Sequence, residues 1–190
     1  MNDLPASPAT VRAVAPPRRW AGAVVLLALV AVLGACSSKE KPVADCPAGI
    51  IPADAASVTR FRDGSGRDLT DVVAEAEIVN ILIQCKYDPK GVTVDLQVAI
   101  AGSRGPADRS RTAEFDYFVA IVDPQQNVVQ KQPFRVNFEF KDNRTRLGVV
   151  EELEPRVPLG SAFDGPKYQL LVGFQLTPEE LAWNRSQRGK

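Results

Sequence analysis

The chain has 190 residues, with 23 Lys+Arg against 23 Asp+Glu and no histidine. Charge this evenly balanced gives no electrostatic case for nucleic acid or for a polybasic membrane patch. Without histidine the chain lacks the commonest general base and zinc ligand, and with them every Ser-His-Asp or Cys-His arrangement.

Residues 21–35 form an apolar run, preceded by Arg12, Arg18 and Arg19 and followed by Cys36. A basic n-region, an apolar h-region and a small-residue cleavage site make a secretory signal. The run has fifteen residues, short of the ~20 that a bilayer-spanning helix needs. Its end, Leu33-Gly34-Ala35-Cys36, resembles the bacterial lipobox. The resemblance implies a diacylglyceryl group on the Cys36 sulfur, cleavage after Ala35, and Cys36 as the first mature residue. Ser37 stands where Asp would retain an enteric-type lipoprotein at the inner membrane, which favours the outer membrane, facing the periplasm. An ordinary cleaved signal with Cys36 as an incidental thiol is the alternative, and anchoring at the inner membrane stays open. The expected organisation is a signal over 1–35, a lipidated tether over 36–45 and one domain over 46–190.

The signal takes three basic residues and one acid with it, so the remainder carries a net charge of −2. Membrane attachment then falls to the lipid, at about 0.8 kcal/mol per buried CH₂. Residues 37–45 are polar, broken by Pro42, and read as a flexible tether. Fully extended, they reach ~30 Å. With Cys36 taken by lipid, Cys46 and Cys85 remain. Export places both in an oxidising compartment, where an even remainder pairs. A Cys46–Cys85 bridge would close a loop of about 40 residues and stabilise the fold by about 4 kcal/mol on the chain-entropy model. Two free thiols are the alternative.

Pro47, Gly49 and Pro52 make 46–52 read as irregular, followed by a helical turn over 53–57 or a strand near 57–61. Residues 62–68 are a charged loop punctuated by Gly64 and Gly66. Residues 72–77 suit a helix capped by Asp71, or a strand with Val72, Ala74, Ala76 and Ile78 on one face. The strand is favoured, and it requires a bulge before Val79. Val79, Ile81, Ile83, Cys85 and Tyr87 then alternate with polar residues, apart from Leu82. Residues 88–91 turn, and Val92, Val94, Leu96, Val98 and Ile100 alternate in the returning strand. A loop is expected from 102 to 111. A strand over 113–122, apolar on both faces at its end, reads as central. Residues 128–140 follow, with Pro133 marking a break or an edge position. Further strands are expected over 145–153 and 168–176, with a loop over 160–167. Thr177, Pro178 and Glu180 form a capping box, with Leu176 and Leu181 at the staple positions, so a short helix runs to about Asn184.

About seven short strands, frequent turns and no long helix describe a mainly β chain: an antiparallel β-sandwich, with an immunoglobulin-like arrangement as the specific expectation. The stretches 59–61, 66–72, 115–120 and 173–181 are similar to an uncharacterised family of proteobacterial lipoproteins. That resemblance spans most of 46–185. It implies export and lipidation and brings no activity, catalytic residue or cofactor.

Candidate chemistry is sparse. Asp63, Asp68 and Asp71 lie near two glycines and suit a hard-cation loop, although their spacing is not that of an EF-hand. A solvated turn with a capping aspartate is the plainer reading. Glu151, Glu152 and Glu154 read either as paired carboxylates or as a charged face that blunts a sheet edge. Arg104, Arg109 and Arg111 read as an anion grip or a solvated loop. Tyr117 and Phe118 point to opposite faces of one strand, so an exposed ring with Leu82 or Leu171 nearby would mark a partner surface, with Trp183 as its third aromatic; a two-sided core under the flanking helix that carries Trp183 is the plainer reading. The sequons at Asn143 and Asn184 read as chance. The expected role is a non-catalytic, membrane-attached module binding another envelope protein, without cofactor or nucleic acid. A lipoprotein presenting a metal ion or small anion to a transporter is the alternative, and a carboxylate-based envelope hydrolase the third reading.

Overall fold

The computed structural model describes residues 45–64 and 66–188. The signal, Cys36 and most of the tether lie outside them. Nine strands, among the described residues, make two facing sheets. One sheet runs β1 (Ala48–Ile50), β9 (Gln169–Phe174), β5 (Thr112–Val122), β6 (Val128–Glu139). The other runs β2 (Ser57–Phe61), β3 (Val72–Asp88), β4 (Gly91–Arg104), β7 (Arg146–Leu153), and β8 (Arg156–Pro158) also pairs with β4. Every pairing is antiparallel except β1 with β9. A helix, α1 (Pro178–Arg188), follows β9. The chain is a mainly β, largely antiparallel sandwich.

Period-two burial explains the sheets. Val92, Val94, Leu96, Val98 and Ile100 of β4 are all buried, and they face Phe115, Tyr117, Val119 and Ile121 of β5 across one core. Phe115 meets Phe138 and Phe174 edge-on, at centroid distances of 6.2 and 6.0 Å. In β3 the segment 72–78 is strand, because Val72, Ala74, Ala76 and Ile78 all reach the core at that period. The bulge is present: Ile78 pairs with Ile100, and Asn80 with Ala99. Val79 is the extra residue and is 51% exposed, so it does not share the inward face of Ile81, Ile83, Cys85 and Tyr87.

The immunoglobulin-like order is not found. That arrangement places its second and third strands in different sheets. Here β2 and β3 pair within one sheet, and β4 folds straight back on β3 through Pro89 and Lys90, with Asp88 paired to Gly91. Two connecting residues close a hairpin and cannot cross the ~10 Å between sheets. Nine strands replace the expected seven because short segments pair where local signals read as breaks. β1 forms between Pro47 and Pro52, where Gly49 accommodates the Ile81 side chain; a methyl there would lie 2.7 Å from it. β8 forms around Val157, which is fully buried against β4. β4 also continues to Arg104, two residues past Gly102, on which the Phe138 ring packs. Within 160–167 the chain makes a 3₁₀ turn rather than an irregular loop. Pro133 does occupy an edge strand, and β5 is central in its sheet.

Cys46 and Cys85 are disulfide-bonded, their Cα atoms 5.8 Å apart. The bridge pins the chain just before β1 to the far half of β3, and Tyr87 Oη adds a 2.6 Å hydrogen bond to the Asp45 carbonyl. The loops 62–71, 105–111 and 140–145 gather at the opposite end of the sandwich.

Candidate functional site

At that opposite end, β2, the loop that follows it and the start of α1 enclose an open cleft of about 420 Å³. Arg60, Phe61, Arg62, Asp63, Arg67 and Trp183 line it. α1 forms where its capping box requires: Glu180 N donates to Thr177 Oγ1 (3.2 Å), and Thr177 N to Glu180 Oε2 (2.8 Å). The helix runs past Asn184 to Arg188 because its second half is held from below. Asn184 is 7% exposed, and its Nδ2 donates to the carbonyls of Asp54 and Ser57 at 2.9 and 2.7 Å. Arg185 and Arg188 both pair with the Asp54 carboxylate. Trp183 then meets the Phe61 ring edge-on at 4.8 Å.

The cleft's arginines are already engaged. The Arg60 guanidinium lies 4.6 Å above the Phe115 ring and 3.5 Å from Glu180. Arg62 pairs with Asp71, and Arg67 donates to the Gly66 carbonyl at 2.9 Å while lying 5.2 Å from the Phe61 ring centre. Of the three aspartates, Asp68 and Asp71 come together as a reciprocal cap on a short 3₁₀ turn, with Asp68 N donating to Asp71 Oδ2 at 3.2 Å. Asp71 is 4% exposed, and a cation would have to displace Arg62 from it. Asp63 stands apart on the cleft wall. Among the described residues no group of three or more Asp, Glu, Cys or His side chains is placed to hold a metal ion.

The three aromatics do not make one surface. Tyr117 is fully buried, stacked at 5.4 Å on Phe134, so it offers nothing to a partner. Its inward position follows from the alternation with Phe115 and Val119, both core residues. Its hydroxyl has no hydrogen-bond partner among the described residues, and burial, together with the Glu151 charge, pushes its ionisation far above the usual tyrosine range. Phe118 faces the other way, half-buried, under the Lys131 ammonium at 4.2 Å. Trp183 belongs to the α1 docking just described. Nor do the loop arginines converge: Arg104 is held by Asp108 at 2.8 Å, and Arg111 Nε donates to the Phe140 carbonyl.

Asn184 and Arg67 were not legible as site residues. The one signal for Asn184 was a polar residue on the helix face that also has to pack. That packing closes the sequon, since its amide nitrogen is buried and bonded twice. Asn184→Ala should leave two carbonyls unpaired at a cost of about 1–3 kcal/mol. The expected result is faster amide exchange throughout α1 with β4 and β5 still protected. Uniform protection would show that the clamp contributes nothing.

The loop 105–111 is equally built. Burial raises the Asp108 pKa, but hydrogen bonds from Ser110 N, Ser110 Oγ and Arg111 N, with the Arg104 charge, outweigh it and hold the carboxyl below its ordinary 3.8. A depressed folded-state pKa contributes stability above the unfolded value and loses it as pH falls through the folded one. Below about pH 4 the wild type should therefore lose stability more steeply than Asp108→Asn, a difference read from urea midpoints across an acid series.

No family model, curated protein or solved structure matches the chain.

Proposed function

We propose that this protein is an exported, lipid-anchored envelope lipoprotein whose sandwich serves as a non-catalytic interaction or structural module facing the periplasm, from an anchor in the outer membrane. The observation that carries the reading is the Cys46–Cys85 bridge. Structural disulfides persist in oxidising compartments, and the signal ending at Cys36 supplies the route to one. The chain's lack of histidine and the committed state of the cleft's arginines and of Asp68 and Asp71 favour a surface that contacts a partner over one that turns over a substrate.

Metabolic labelling with a clickable fatty acid tests the anchor. Label should appear on the wild type and vanish from Cys36→Ser, which should leave the membrane fraction. An unlabelled wild type, or reduced Cys46 and Cys85 in freshly isolated protein, would count against export and anchoring. Crosslinking in the intact envelope, with Cys36→Ser as control, then identifies the partner.

The alternative, a lipoprotein that presents a small anion or metal ion, has the arginine-lined cleft in its favour. Calorimetric titration of the protein with phosphate and with calcium decides it: heat that is lost in Arg67→Ala supports this reading over the first.

A further inference from the structure

Sheet edges are where a chain can pair with another, and folded proteins blunt them with prolines, bulges, inward charges or brevity. Of the edge strands, β2 is five residues long with α1 packed against it, and three others are blunted. β6 carries Pro133 and a register break, since Ile121 pairs with Gln130 but Val122 with Val128, leaving Val129 over. β7 turns Glu151 inward. β1 is three residues long, between Pro47 and Pro52. The far half of β3 is a further edge, and past its bulge at Val79 it carries none of these devices among the described residues. β2 pairs with β3 only from Val72 to Glu77, and the Ala56 carbonyl takes the Ile78 N–H at 2.9 Å. Among the described residues, the strand pairs from Asn80 to Tyr87 with β4 alone. This stretch reads Asn-Ile-Leu-Ile-Gln-Cys-Lys-Tyr, without proline or glycine, and Lys86 is its one charge. Leu82 is 58% exposed on its outer face, and the bulge residue Val79 51%.

We propose that this edge binds a second copy of the chain, β3 against β3, antiparallel about a twofold axis. The open window 80–87 is bounded by the Val79 bulge at one end and the hairpin turn at the other, and self-pairing centred on Ile83 joins 80–86 of each copy with like faces together. That register sets Leu82 opposite Gln84 of the second copy, Ile81 opposite Cys85, and Asn80 opposite Lys86, and it ends at the Val79 bulge. No like charges meet in this register. Opposing pairs of this kind are what make antiparallel pairing favourable, and like charges directly opposite oppose it. The main chain supplies the hydrogen bonds, as in other strand additions. A self-complementary edge with a single charge, open past its bulge and beside three blunted ones, fits pairing with itself.

Sedimentation velocity on the full-length protein in mild detergent tests this. The wild type should be a dimer at micromolar concentration. Leu82→Lys with Gln84→Lys places lysines opposite one another on both sides of the axis and should raise the dissociation constant at least about tenfold. Both positions are exposed, so the melting temperature should hold. Val150→Lys, equally exposed at 59% but on β7, should leave the dimer intact. Leu82→Cys with Gln84→Cys should oxidise to a covalent dimer. A wild type that stays monomeric overturns the proposal, even if the same edge then captures an extended peptide. So does a dimer indifferent to the double lysine variant.

Discussion

Reducing the Cys46–Cys85 bridge, or replacing both cysteines by alanine, is expected to lower the unfolding free energy by about 4 kcal/mol. The residues are 39 apart in sequence, and closing a loop of that size removes that much chain entropy from the unfolded state on the chain-entropy model. The folded state offers little to compensate. β1 is three residues long and, among the described residues, pairs only with β9, so without the bridge the chain before Ile51 is held there by that short ladder and by the Tyr87–Asp45 bond. Urea titration with and without reductant measures the loss. A change below about 1 kcal/mol would mean that the reduced unfolded chain already keeps these ends together.

Phe115→Ala should cost about 3–5 kcal/mol, the range for truncating a buried aromatic. The ring is 1% exposed and sits between Phe138 and Phe174, with the Arg60 guanidinium on its face. Its removal therefore opens a hole in the core and takes away one of the contacts that fix Arg60 in the cleft. Phe118→Ala, three residues on and half-buried on the opposite face, should cost less than half as much. Equal losses in chemical denaturation would contradict the assignment of the two faces.

Period-two alternation made β3, β4, β5 and the two-residue hairpin legible, because burial of one face is written locally in every second residue. The capping box made the start of α1 legible for the same reason: its hydrogen bonds lie within one turn. What stayed hidden depends on distant partners. Ala48 pairs with Gln169, and nothing near Ala48 announces it. Asn184 needs the carbonyls of Asp54 and Ser57, from the other end of the domain. Tyr117 was ambiguous because Ala120, Ile121 and Val122 on the same strand are all buried, so the pattern does not say which face meets the core. In the acidic loop, the arrangement turns on Arg62, whose pairing with Asp71 is not implied by spacing alone.

The bridge also decides how the domain bears a pull on its N-terminal side. Tension arriving at Cys46 passes through the sulfurs into Cys85 and so bypasses the short β1 ladder. It loads β3, whose pairing with β4 runs from Ala74 to Asp88. A pull directed along β3 would shear the hydrogen bonds of that ladder together instead of unzipping them one at a time. The domain is thus reinforced against traction at the point where the chain enters it, and chemical reduction would turn a strong mechanical joint into a weak one.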